Sequence, residues 1–343
     1  MKAAVLTRYQ SPLAIEEVPV PDPLADEVLI EVHACGVCHS DLHIVDGDLP
    51  GFRAATRERL IPGHEVVGKV VRCGASVVEL NPGDRVGVPW LYRACGNCEQ
   101  CREGNENLCR DNAAVTGMTV NGGYAQFMCA NADYVVRIPD ELLDEEAAPL
   151  LCAGVTSYRA LKKANITAGQ RVAVFGIGGL GHLALQLARA LGAEVFALDV
   201  NQEKLDFARE LGADHALNAM DPEAAKFLRR RGGMHAAVVT SAAQTAYGAA
   251  LKVLRPTGTL CVVGLPAEPL QFQALALVSS EAHIVGSAVG TRADLRAVLD
   301  LGARGLVRCH VQVSPLAKVN EVLDAMRRGA IHGRVVLDPR GER

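Results

Sequence analysis

No apolar run in this chain is long enough to span a bilayer; stretches such as Ala147–Ala153 fall far short of the roughly 20 residues required. Blocks of like charge are also missing. With a formal net charge of -4, the sequence offers neither a nucleic-acid tail nor a basic membrane patch. The opening residues, MKAAVL, run straight into an apolar segment without a secretory or transit pattern, so the cytoplasm is the expected location. No internal repeat or low-complexity segment stands out, and tryptophan occurs once, at Trp90. What remains is the balance of a soluble globular protein, 49% hydrophobic and 22% charged.

At 343 residues the length prior points to two domains, and the two halves read differently. Ten of the sixteen prolines lie in the first 149 residues, between short runs such as Glu27–Val32, Val66–Arg72 and Arg85–Val88. Frequent turn residues between short β-rich runs predict an irregular, β-dominated domain over residues 1–150. Over residues 151–289 the pattern becomes strand, helix, strand. Six strands are predicted at Arg171–Phe175, Glu194–Leu198, His215–Leu217, Ala236–Thr240, Thr259–Gly264 and His283–Ser287. Amphipathic stretches at Leu180–Leu191, Gln202–Leu211, Pro222–Arg231 and Thr245–Leu254 separate most of them. That alternation implies an α/β fold with a doubly wound parallel sheet of six strands, the dinucleotide-binding arrangement. The tail, 290–343, carries a last strand at Gly333–Asp338 and is expected to complete the first domain.

The segment Arg171–Gly181 reads RVAVFGIGGLG, a strand running into Gly176-x-Gly178-x-x-Gly181 with a helix pattern following at once. The first glycine permits a tight turn, the second lets a pyrophosphate approach the backbone, and the third allows close helix–strand packing. Gly176, Gly178, Gly179, Leu180 and Gly181 are therefore the expected phosphate loop, at a helix N-terminus with free N–H groups. Asp199 ends the next strand, 23 residues after Gly176. A carboxylate there accepts hydrogen bonds from ribose hydroxyls and repels a 2′-phosphate, which predicts NAD over NADP.

Eleven cysteines are many for a reducing compartment, where clustered cysteines bind metal more often than they pair. Cys95, Cys98, Cys101 and Cys109 fall within fifteen residues, with Asn97, Gly104 and Asn105 helping the chain turn between them. Four thiolates at this spacing suit a closed, structural zinc site with no position left for substrate. Common iron–sulfur spacings differ from this one. Cys35, Cys73, Cys129, Cys261 and Cys309 show no such pattern and are expected to be small buried side chains.

The stretches CGVCHSDLH (Cys35–His43), IPGHEVVGKV (Ile61–Val70), CAGVTSYRAL (Cys152–Leu161) and GIGGLGHLALQLA (Gly176–Ala188) carry a further signal. Together with the cysteine loop and GRVVLD near the end, they resemble the zinc-containing medium-chain alcohol dehydrogenases over nearly the whole chain. The resemblance implies a GroES-like catalytic domain followed by a Rossmann domain, with the tail returning to the first. It also implies a second zinc, catalytic, on Cys38, His64 and Cys152, residues that spacing alone does not select because such ligands meet only in the fold. By the same motifs Glu65 approaches the metal, Asp41 orients the ligand histidine, Ser40 bonds the substrate oxygen and His43 ends a proton relay. Thr156 would lie beside the nicotinamide, Lys204 near the adenosine ribose, and His39 and Arg334 at the pyrophosphate.

The implied activity is hydride transfer between a primary or secondary alcohol and NAD, giving an aldehyde or ketone. Alternatives are an aldehyde, polyol or aromatic-alcohol reductase of the same family and, more remotely, a non-catalytic zinc-binding protein. The partner is then a small-molecule alcohol or aldehyde, with neither nucleic acid nor membrane. A homotetramer, a dimer of dimers joined at Thr259–Gly264 or His283–Ser287, is implied by family membership. Two features stand apart. Pro50–Leu60, with Arg53, Arg57, Arg59 and Glu58, is longer than in many relatives and reads as a solvated loop before it reads as a pocket edge. Trp90 reads about equally as a bulky pocket residue and as core.

Overall fold

The computed structural model of the chain describes residues 1–266 and 268–341, which form two compact units. One comprises Met1–Cys152, Thr291–Ala303 and Cys309–Arg343; the other comprises Ala153–Gly290 and Arg304–Arg308.

The first unit is built on a seven-stranded sheet. Its spine is Glu27–Gly36, whose first half pairs antiparallel with Phe127–Asn131 and whose last residues pair with Arg334–Asp338. On its other side runs Glu65–Cys73, then Arg85–Val88 and Val136–Arg137. This strand has partners along both edges; Val28, Ile30 and Val32 alternate onto one buried face with Glu31 and His33 half-exposed between the buried positions, and Ala34, Cys35 and Gly36 are buried in succession. Val311–Pro315 closes one edge, parallel to Arg334–Asp338. Chain crossings at this sheet are made by two short helices, α1 (His39–Asp46) and α2 (Pro50–Ala55). The second of these makes the first half of Pro50–Leu60 helical where a loop was expected, but leaves it solvated, with none of its residues buried. Pro50 supplies a preset φ in the first turn, and Thr56 stops the helix with its N–H and hydroxyl both donating to the Phe52 carbonyl.

The second unit opens with α3 (Ala153–Lys163) and contains a six-stranded, all-parallel sheet. Its strands are β1 (Arg171–Phe175), β2 (Glu194–Asp199), β3 (His215–Asn218), β4 (Met234–Val239), β5 (Leu254–Val262) and β6 (His283–Gly286). Their spatial order is β3-β2-β1-β4-β5-β6, the doubly wound order with the switch between β1 and β4. Central strands such as β1 and β4 are continuous apolar runs because helices cover both faces. The helix after β1, α4 (Gly181–Ala190), buries residues 181–188 and shields one of those faces.

Candidate active site and dinucleotide loop

A buried polar cluster lies where α1 meets the strand Glu65–Cys73. Cys38 is the extended residue before α1, and its N–H donates to Asp41 Oδ2 at 2.9 Å, which closes the first turn. Asp41 is fully buried, yet its carboxylate is saturated. Oδ2 also accepts from the Tyr124 hydroxyl at 3.0 Å, while Oδ1 takes the Gly63 N–H at 3.2 Å and His64 Nδ1 at 2.9 Å. A carboxylate facing these donors is the acceptor, so the proton on His64 sits on Nδ1. Nε2 has no hydrogen-bond partner among the described residues. An orphaned ring nitrogen at a fully buried position is costly unless a further group takes it up.

The groups that face it supply the answer. Ligand atoms of Cys38, His64, Glu65 and Cys152 all lie within 4.8 Å of one another, and all four residues are buried. The Cys38 and Cys152 sulfurs are 4.0 Å apart, close to the roughly 3.8 Å edge of a zinc–thiolate tetrahedron. Hydrogen bonding from the Cys152 thiol holds Cys38 well below the usual thiol range, so one sulfur is poised as a thiolate. These residues fit a zinc ion that two sulfurs and one imidazole would hold, with the Glu65 carboxylate beside them. Burial pushes the Glu65 carboxyl up to about 7 against the pull of Arg334, whose guanidinium is bonded to Glu65 Oε1.

Arg334, expected at a pyrophosphate, is 3% exposed with its guanidinium on Glu65, and a buried guanidinium needs such a carboxylate beside it. His39, the other residue expected there, is exposed at the first position of α1. Ser40 and His43 are half-buried and three residues apart on the same helix, a spacing that puts them on one face. His43 Nδ1 meets both oxygens of Asp48, at 2.9 and 3.0 Å. Trp90 sets its ring edge-on to His64 with centroids 4.8 Å apart, and Phe52 of α2 packs on Trp90 at 5.7 Å. Trp90 is half-buried, so it belongs both to the core edge and to the wall beside the cluster. Sequence reasoning missed Tyr124, Phe52 and Asp48. Only Asp48 left a signal, a carboxylate just beyond the last turn of a helix that carries a histidine.

The sulfurs of Cys95, Cys98, Cys101 and Cys109 form a second group within 4.8 Å. Cys95 Sγ accepts the N–H groups of Asn97 and Cys98 at 3.4 and 3.2 Å, which holds its thiol down to about 7. Leu91, Ala94 and Tyr134 make a small apolar base under the loop. Arg292 ties it down further, with its N–H donating to Glu106 at 3.0 Å and its guanidinium over the Tyr134 ring. Of the five cysteines expected to be buried, Cys35, Cys261 and Cys309 are; Cys73 and Cys129 are only half-buried.

In the second unit the glycine loop follows β1. A Cβ on Gly181 would sit 1.8 Å from the Gly176 carbonyl oxygen, so only glycine lets α4 start this close to the turn, and Gly176 itself has φ of 91°. The N–H groups of Gly178, Gly179, Leu180 and Gly181 donate to no acceptor among the described residues. Four free amides at a helix start fit an anionic phosphate. Asp199 is buried at the end of β2, with Oδ2 accepting from Ile177 N–H at 2.7 Å and Oδ1 from Val200 and Asn201 at 2.8 and 3.0 Å. Lys204 is half-buried in the helix that follows, and Thr156 is buried on α3 beside Ser157.

Residues 24–140 match the alcohol dehydrogenase GroES-like domain and residues 179–304 the zinc-binding dehydrogenase domain. The chain belongs to the zinc-containing medium-chain alcohol dehydrogenase family. It is 47% identical to an alcohol dehydrogenase of Geobacillus stearothermophilus, over 98% of this chain and 99% of that one. Among solved structures it resembles the alcohol dehydrogenase of the hyperthermophilic archaeon Aeropyrum pernix, at 36% identity and a TM-score of 0.91, covering 99% of this chain and 100% of that one. It is also similar to an acetophenone reductase of Geotrichum candidum in complex with NAD, at 32% identity and a TM-score of 0.88, covering 98% and 96%.

Proposed function

We propose that the chain oxidises alcohols to aldehydes or ketones, and runs the reverse reduction, with NAD as hydride carrier and two zinc ions per chain. The observation that carries this is the buried set Cys38, His64 and Cys152, with His64 Nε2 unpartnered among the described residues and its Nδ1–H anchored on Asp41. Bound there, zinc supplies Lewis acidity, lowering the pKa of an alcohol enough for proton loss near neutral pH.

The chain's own residues do the rest. Asp41 fixes the tautomer and direction of His64, and Tyr124 in turn fixes Asp41. Ser40 takes the proton leaving the alcohol, and His43 passes it towards solvent. Asp48 on His43 Nδ1 leaves Nε2 as the accepting nitrogen. Trp90 and Phe52 narrow the space beside His64 and favour primary alcohols of modest width. Gly176–Gly181 receives the pyrophosphate, while Asp199 and Lys204 receive the adenosine ribose and Thr156 lies by the nicotinamide. The four loop cysteines hold the structural zinc. A homotetramer in the cytoplasm is the proposed form. It is supported by the family and by the edge strand β6, near which Leu275 and Val278 are 77% and 74% exposed.

The test is NADH formation by purified protein with NAD and ethanol or benzyl alcohol, beside NADP and a chelator-treated sample. A chelator-sensitive rise with NAD is expected. No rise on any alcohol in a panel, with zinc bound, would defeat the assignment. Faster reduction of an aromatic ketone than oxidation of any alcohol would favour the reductase alternative, to which the likeness to an acetophenone reductase lends support.

A further inference from the structure

The residue after the glycine loop is an unusual choice for a helix start. His182 is fully buried in the first turn of α4, whose buried face is otherwise apolar except for Gln186 one turn on. Its Nδ1 lies 3.0 Å from the Gly178 carbonyl oxygen, and its backbone N–H reaches the same oxygen at 3.1 Å. A carbonyl only accepts, so Nδ1 carries the proton and both lone pairs of that oxygen are engaged.

The consequence falls on the next amide. A trans peptide points its C=O and N–H in opposite directions. Pinning the Gly178 carbonyl against His182 therefore points the Gly179 N–H away from the helix, and that N–H is one of the four without an acceptor. Two other carbonyls of the loop also take side-chain donors: Gly176 accepts from the Thr240 hydroxyl at 2.7 Å and Leu180 from the Ser157 hydroxyl at 3.1 Å. Glycines are free to rotate their peptides, and this loop has two adjacent ones, at 178 and 179. Nothing on the glycines themselves keeps their amides outward; the His182 backbone N–H and ring both hold the Gly178 carbonyl, and of the two only the ring depends on which residue stands here.

We infer that His182 is a positioning residue for the dinucleotide pyrophosphate, locking the Gly178–Gly179 peptide in its phosphate-receiving orientation before the cofactor arrives. This rests on the dinucleotide assignment of the loop. Preorganisation of this kind contributes affinity by removing an ordering cost from the binding step. It acts only on ligands that carry a phosphate.

The experiment compares His182→Asn, whose amide nitrogen falls near the place of Nδ1, with His182→Gln, whose amide falls near Nε2. The two variants have the same chemistry and differ in whether the donor reaches Gly178. Calorimetric titration of the zinc-loaded proteins with NADH, ADP-ribose and adenosine reads the effect without turnover. His182→Gln should weaken NADH and ADP-ribose by about tenfold, the scale of one hydrogen bond to a charged group losing its alignment. Adenosine should bind unchanged, and His182→Asn should track the wild type. Equal losses in both variants would overturn the inference, since packing would then be the cause. Unchanged NADH binding in a folded His182→Gln protein, or a matching loss with adenosine, would overturn it as well. A wild-type protein that binds none of the three ligands would remove the dinucleotide site itself, and the inference with it.

Discussion

The two sulfur clusters of the first unit are built on opposite principles. The loop cluster is half-buried, made of neighbours in sequence, and rests on only three buried apolar residues. All four of its members are thiols, so a bound ion has no open side. The cluster at Cys38 is fully buried, gathered from distant segments, and braced by Asp41 through four donors. It mixes sulfur, imidazole and carboxylate. On the proposed reading, the difference teaches that burial and bracing suit a centre that does chemistry, whereas contiguity suits one that replaces a missing core.

That contrast can be broken most forcefully at His64. His64→Ala should cut turnover by roughly a thousandfold or more, because several kcal/mol of charge stabilisation goes with the metal. Thermal stability should change far less; steady-state rates beside a melting curve read both. Cys98→Ser should show the inverse, a melting temperature lower by roughly 10 °C or more, with surviving protein close to normal in turnover. Normal stability with the loop site empty would end the structural assignment. Asp41→Asn should weaken metal at the buried centre by about 10- to 100-fold, measured by competition with a chelator, and leave the loop ion in place. Asp199→Gly sharpens the comparison from the second unit. NAD should weaken by about tenfold and relative use of NADP should rise in steady-state kinetics with each cofactor, and an unchanged preference would place the discrimination elsewhere. The smallest effect is expected at His43→Gln, which should slow turnover by a modest factor and most at low pH. A pH profile identical to wild type would take His43 and Asp48 out of the proton route.

Much of the second unit was legible because its strands are apolar runs set between amphipathic helices, and β1 begins and ends where the sequence places it. β5 was not. Pro256 and Thr257, the latter with φ of 63°, argue against a strand, yet Leu254 pairs with Met234 across an irregularity before regular pairing begins at Thr259. Short-range patterns do not register a strand that pauses. In the first unit the cysteine loop was plain from spacing alone, since its ligands lie a few residues apart. Cys38, His64 and Cys152 were reached through resemblance, because nothing local distinguishes a ligand cysteine from a core one. Tyr124 shows the limit: its role comes from a hydroxyl meeting Asp41 across 83 positions. Arg334 shows another, for its burial against Glu65 is a property of the packed sheet and not of the motif GRVVLD.

The most direct test of this division is the zinc content of the wild type and of His64→Ala, determined on the same purified, folded preparations. Two ions per chain in the wild type and one in the variant, with the melting temperature held and activity gone, is the predicted result. Two ions retained by an active His64→Ala protein would contradict it, because the buried centre would then owe nothing to the ring nitrogen that defines it.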